Sequence, residues 1–190
     1  MKKPEIEIPD HMKNLEVTDK GYLKPWFVKA DDFRIVDGVK AGLAVTKKRC
    51  WICGEAFEGG EYALVGDPQS AMIRLCKEPP CHRDCAEYAV QVCPFILYPN
   101  AKRRVAGLEP EQTLDHTNKT RKIKIGKDNP GKYYIIVVRD FEYQHSGQII
   151  RFKEEDVIER QYWIGGQRQE SYPDPIIPLH ELPQNLRHLV

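Results

Sequence analysis

The most strand-like run of the chain is Lys132-Tyr133-Tyr134-Ile135-Ile136-Val137-Val138, where aromatic and β-branched residues follow one another without a break. His145-Ser146-Gly147 separates it from Gln148-Ile149-Ile150-Arg151-Phe152, so the two runs read as a hairpin, and Tyr162-Trp163-Ile164 before Gly165-Gly166 adds a short strand. Nearer the start, Tyr22 to Val28 and Phe33 to Val36 flank a polar Lys29-Ala30-Asp31-Asp32 connection and predict another hairpin, with Pro25 keeping its strand at an edge. Glu61-Tyr62-Ala63-Leu64-Val65 and Ala71-Met72-Ile73-Arg74-Leu75 form a further pair around the turn signal Gly66-Asp67-Pro68. One helix is predicted. It begins after Pro79-Pro80, at Cys81 or His82, and stops at Cys93 before Pro94. Cys85, Ala86, Ala89, Val90 and Cys93 share one face at helical spacing, and Arg83, Asp84, Glu87 and Gln91 take the other.

These elements predict an α+β fold. A chain of 190 residues with 41% hydrophobic and 30% charged residues is sufficient for one domain with a core, and too apolar for a disordered protein. Its parts read as an N-terminal β-hairpin segment (1–47), a cysteine-rich unit (48–100), a basic connector (101–127), a β-hairpin segment (128–170) and a proline-rich tail (171–190) in which a helix is not expected. No apolar run approaches the ~20 residues of a membrane span, and the first residues lack the apolar core of a signal peptide, which predicts a soluble, intracellular protein.

Charge refines the picture. The formal net charge is +1, yet residues 101–127 hold 8 basic against 3 acidic groups while 50–100 hold 3 against 7. That excludes a surface basic throughout and leaves a local patch, Lys102, Arg103, Arg104, Lys119, Arg121, Lys122 and Lys124, as a candidate phosphate-contacting strip. A solvated loop accounts for the same residues. Trp26, Phe27, Trp51 and Tyr88 are read as packing residues rather than base-stacking platforms.

The six cysteines stand at 50, 53, 76, 81, 85 and 93, with none elsewhere. Cys50-Trp51-Ile52-Cys53-Gly54 has the composition of a zinc knuckle, in which two thiolates converge on one ion and the glycine lets the chain turn back. Cys81-His82-Arg83-Asp84-Cys85 opens the predicted helix, and His82 and Cys85, at i and i+3, project from one side of its first turn. A knuckle, a hairpin and a helix donating the last two ligands make a treble-clef-like zinc unit. Cys50, Cys53, His82 and Cys85 are the preferred ligands of one structural zinc; the alternative uses Cys81 in place of His82. A disulfide framework fits less well without a secretion signal. Cys76 and Cys93 read as buried apolar residues. Four protein ligands leave no open position on the ion, and such a site supplies folding energy, on the order of 10–16 kcal/mol in small zinc peptides.

No catalytic constellation emerges. Asp115-His116 and Asn118 superficially match the opening of a zinc-supported His-Asn-His nuclease motif, but they follow the helix instead of lying between the knuckles. No Walker or Rossmann phosphate loop and no nucleophile elbow is present.

Gly21-Tyr22, Pro25-Trp26-Phe27-Val28, Asp32-Phe33-Arg34, Cys50-Trp51-Ile52-Cys53-Gly54-Glu55, Glu78-Pro79-Pro80, His82-Arg83-Asp84-Cys85-Ala86 and Cys93-Pro94-Phe95, with Asn129-Pro130-Gly131 further on, resemble an uncharacterised protein family of tailed bacteriophages and prophages. The resemblance extends to about Trp163 and the proline-rich tail departs from it. It implies a phage setting and the host cytoplasm. It also favours His82 over Cys81, whose position is often serine in such relatives. The expected function is that of a non-enzymatic, zinc-stapled phage accessory protein binding a macromolecule, nucleic acid first. The alternatives are a protein-directed adaptor or inhibitor of a host enzyme, and a divergent nuclease.

Overall fold

The apolar run at 132–138 becomes the second strand of the larger of two antiparallel sheets in the computed structural model, which describes residues 5–29, 32–98, 131–144 and 149–171. Along the described chain run α1 (Gly38–Thr46), β1 (Tyr62–Gly66), α2 (Pro68–Ile73), β2 (Leu75–Cys76), α3 (Arg83–Val92), α4 (Pro94–Leu97), β3 (Lys132–Val138), β4 (Glu142–Gln144), β5 (Ile149–Arg151), β6 (Val157–Ile164) and β7 (Gln167–Gln169). The larger sheet has the order β1-β3-β6-β7 and the smaller β2-β5-β4. Successive side chains of β3 fall on opposite faces. Ile135 and Val137 pack with Trp51, Cys85, Ala86, Val90 and Trp163, whereas Tyr134, Ile136 and Val138 pack with Leu64, Ala71, Cys76, Ile150 and Phe152. Both faces of β3 are therefore covered, one by the cysteine-rich unit and α3, the other by α2 and the small sheet, which explains an apolar run without alternation. Each of those aliphatic side chains contributes roughly 1.5–3 kcal/mol by leaving water.

Several local expectations are corrected. The N-terminal hairpin is reduced to a single bridge between Val28 and Val36, and α1 follows where no helix is expected. The Asp37 carboxylate starts α1 by accepting from the N–H groups of Val39 and Lys40. Ala71 to Ile73 belong to α2 rather than to a strand. Asp67 caps that helix, accepting from Ser70 N–H at 2.6 Å, and Pro68 occupies its first turn, so Gly-Asp-Pro acts as a helix start and not as a hairpin turn. Arg74, left-handed at φ 55°, ends it. Ile149–Arg151 does join a hairpin, but with β4, while β3 lies between β1 and β6 in the other sheet. β6 starts at Val157, well before Tyr162; its early residues Glu159 and Arg160 are held in ion pairs to Arg83, Arg168 and Glu154, and their charge masks the strand. The predicted helix is found as α3. Among the described residues no helix is long and apolar enough to cross a membrane.

Candidate metal centre

Cys50 and Cys53 lie on a tight loop closed by its own backbone: Gly54 N–H donates to Cys50 O at 2.9 Å, and Cys50 N–H to Glu55 O at 2.8 Å. The turn requires glycine, because Gly54 has φ +82° and a Cβ there would stand 2.5 Å from Cγ of Trp26. Trp26 is held over the loop by its backbone N–H, which donates to Ile52 O at 2.7 Å, and by Lys40, whose ammonium donates to Trp26 O at 2.7 Å. Trp51 N–H donates to Pro80 O at 2.9 Å and joins this loop to the segment before α3. That segment is fixed in turn on β1, for Ala63 and Cys81 exchange two backbone hydrogen bonds of 2.8 Å. His82 is the N-cap of α3 and Cys85 stands in its first turn.

These three backbone attachments bring four side chains together. The ligand atoms of Cys50, Cys53, His82 and Cys85 all lie within 4.8 Å of one another, with Cys50 and Cys85 fully buried. His82 Nδ1 is 3.3 Å from Cys53 Sγ and 4.0 Å from Cys85 Sγ. Metal–sulfur and metal–nitrogen bonds of about 2.3 and 2.0–2.1 Å at a tetrahedral angle place such S···N edges near 3.6 Å, which the two distances bracket. His82 Nε2 faces the Ala56 carbonyl at 3.2 Å, a group that only accepts; Nε2 therefore carries a proton, and Nδ1 is the nitrogen turned toward the sulfurs. Cys50 Sγ accepts from His82 N–H at 3.3 Å, and the free amides of the α3 N-terminus favour negative sulfur there.

The electrostatics of the cluster are those of shared protons. Burial opposes ionisation of Cys50, yet donation from Cys53, Cys81, Cys85 and His82 brings its thiol far below the ordinary range. Cys85 is pushed up, first by its hydrogen bonds with Cys50 and Cys53 and then by burial. Burial disfavours a charged His82, but contact with Cys50 and Cys53 outweighs it and raises the imidazole to about 10. Four donors converging at this distance cannot all give up their protons unless a cation replaces them.

Cys81 does not join the group. Its sulfur is buried, lies 3.9 Å from Pro79 O, and hydrogen-bonds with Cys50 from outside the set of four. Of the two ligand sets consistent with the spacing, the structure assembles the one with His82. Cys76 is buried, and desolvation pushes its thiol up to about 12; Cys93 is half-buried at the C-cap of α3. All six cysteines are free. Trp51 and Tyr88 are core residues, Trp51 stacking on Phe27 at 4.5 Å between ring centroids. The basic residues Lys102, Arg103, Arg104, Lys119, Arg121, Lys122 and Lys124, together with Asp115, His116 and Asn118, lie outside the described residues, as does the tail from 172 on.

Sequence reasoning missed two neighbours of the site. The imidazole of His11 stacks on His82, with centroids 4.0 Å apart and planes 12° from parallel, and Phe57 meets the His82 ring at 4.8 Å. Neither has a spacing relation to the cysteines that would have flagged it. His11, His82 and Asp84 form a second grouping of potential ligands, but it shares His82 with the first. No family model, curated protein or solved structure matches this chain.

Proposed function

We propose that Cys50, Cys53, His82 and Cys85 hold one structural zinc ion, and that the ion fastens a treble-clef-like unit made of the 50–53 loop, β1 with its partner segment at Cys81, and α3. The observation that carries this reading is the convergence of three sulfurs and one imidazole nitrogen within 4.8 Å, with the other imidazole nitrogen held by a backbone carbonyl. Soft thiolate donors with one imidazole suit zinc better than calcium or magnesium, which take oxygen ligands. With four protein ligands the ion has no open position, so its contribution is to stability and not to activation of water.

Around this staple the chain acts as a non-enzymatic binding protein. The reading is supported by the closed ligand set and by the basic excess of 101–127, which favours nucleic acid as the partner class. A bacteriophage setting in the host cytoplasm is what the sequence resemblance supports. Elemental analysis of the purified protein tests the metal: the expected result is one zinc per chain, lost in Cys50→Ser and His82→Ala, and a metal-free wild type would overturn it. Titration of DNA and RNA binding across salt tests the partner. Affinity that falls steeply with salt is expected, and binding indifferent to salt, or none, would overturn the nucleic-acid reading in favour of a protein partner.

A further inference from the structure

The N-terminal segment reaches the proposed metal centre from outside the unit that builds it. Met12 is 2% exposed in the same core as Cys50 and Cys85, and Ile6, Ile8 and Leu15 pack against that core. This anchoring sets His11 flat on the His82 ring. The outer edge of His11 is held as well: Nδ1 is 3.1 Å from Glu55 Oε2 and Nε2 is 3.8 Å from Asp84 Oδ2, so the ring bridges the loop carrying Cys53 and the first turn of α3. His82 is thus covered by the stacked His11 ring and touched by Phe57, whose ring is tilted 60° to it.

Of the four ligands, Cys50 and Cys85 are 0% exposed while His82 and Cys53 are 8% exposed, so a competing chelator must enter on the His82 and Cys53 side. In the metal-bound site His82 would be the one neutral donor and would leave by a swing of its imidazole, a motion that the stacked His11 ring and the adjoining Phe57 oppose. We infer that His11 is a positioning residue whose ring acts as a clasp over His82, so that the N-terminal segment sets the rate at which metal leaves the site. The inference rests on the zinc reading above and adds kinetic control by a segment distant in sequence. Hydrogen-bonded groups that orient a ligating histidine are worth about 10–100-fold in metal affinity, and a stacked ring that restrains the same imidazole is assigned a comparable factor here, expressed in dissociation.

The test is the rate of zinc transfer from the full-length, zinc-loaded chain to excess 4-(2-pyridylazo)resorcinol, followed by absorbance, for wild type, His11→Gln and His11→Phe. His11→Gln keeps a polar group toward Glu55 and Asp84 but removes the ring; His11→Phe keeps the ring and removes the polar contacts. The expected result is release about 10–100-fold faster in His11→Gln and close to wild type in His11→Phe. Equal rates in all three proteins, or equal acceleration in both variants, would overturn the clasp while leaving one zinc per chain intact. A wild type without zinc would overturn the metal reading and the clasp together.

Discussion

Gly54 offers a quantitative test of how the loop carrying Cys50 and Cys53 is built, because a matched control sits in the same stretch of chain. Gly54 and Gly59 have nearly equal positive φ, +82° and +86°, so replacing either by alanine carries a left-handed strain of about 1–2 kcal/mol. They differ in surroundings. A Cβ on Gly59 meets nothing within 4 Å, whereas one on Gly54 would stand 2.5, 2.6 and 2.7 Å from Cγ, Cδ1 and Cδ2 of Trp26. These atoms form the near end of the indole, and the Trp26 backbone is pinned by its N–H to Ile52 and its carbonyl to Lys40, so the base of the ring cannot shift away cheaply. Overpacking of this kind adds about 1–3 kcal/mol. Gly54→Ala should therefore destabilise the zinc-saturated protein by about 2–5 kcal/mol and Gly59→Ala by only the smaller strain cost. Urea unfolding at fixed free zinc, followed by tryptophan fluorescence, reads both. At a slope of about 2 kcal/mol/M the midpoints of the two variants should differ by about 0.5–1.5 M. Coincident midpoints would show that Trp26 does not close over the loop as described.

Other consequences are simpler to measure. The Arg34 guanidinium hydrogen-bonds the Asp32 carboxylate, outweighing its partial burial, and holds it at about 2, below its ordinary 3.8. Because the folded value is the depressed one, the stabilisation is complete above the ordinary carboxylate range and is lost as pH falls toward 2. The Asp32 carboxyl ¹³C resonance should titrate near that value and move back toward 3.8 in Arg34→Gln; an unshifted titration in the wild type would contradict the pair. Asp67→Ala removes the cap of α2 and should cost about 0.5–2 kcal/mol in the same unfolding assay, with no change in zinc content.

The Cys50, Cys53, His82 and Cys85 cluster was the most legible part of the molecule, and the pairing of its strands the least. Cys50 and Cys53 are linked by local chain geometry, and His82 and Cys85 by one turn of α3, so the chemistry of each pair is written within a few residues. Meeting of the pairs depends on Ala63 bonding to Cys81 and on Trp51 bonding to Pro80, and these contacts carry no local signal. The run at 132–138 announced a strand, but its partners, β1 and β6, were hidden because covering both faces removes the alternation that sets a register. Asp67-Pro68 was ambiguous for a different reason: the same dipeptide begins a turn or caps a helix, and the residues after it decide. His11 could be found only in three dimensions.

X-ray absorption at the zinc K-edge of the purified wild-type chain tests the central claim most directly. Three sulfur scatterers near 2.3 Å and one nitrogen near 2.0 Å, with the outer-shell pattern of an imidazole, are the predicted result. Four sulfurs would place Cys81 where His82 stands, and a shell of light atoms alone, or no zinc to absorb, would contradict the account.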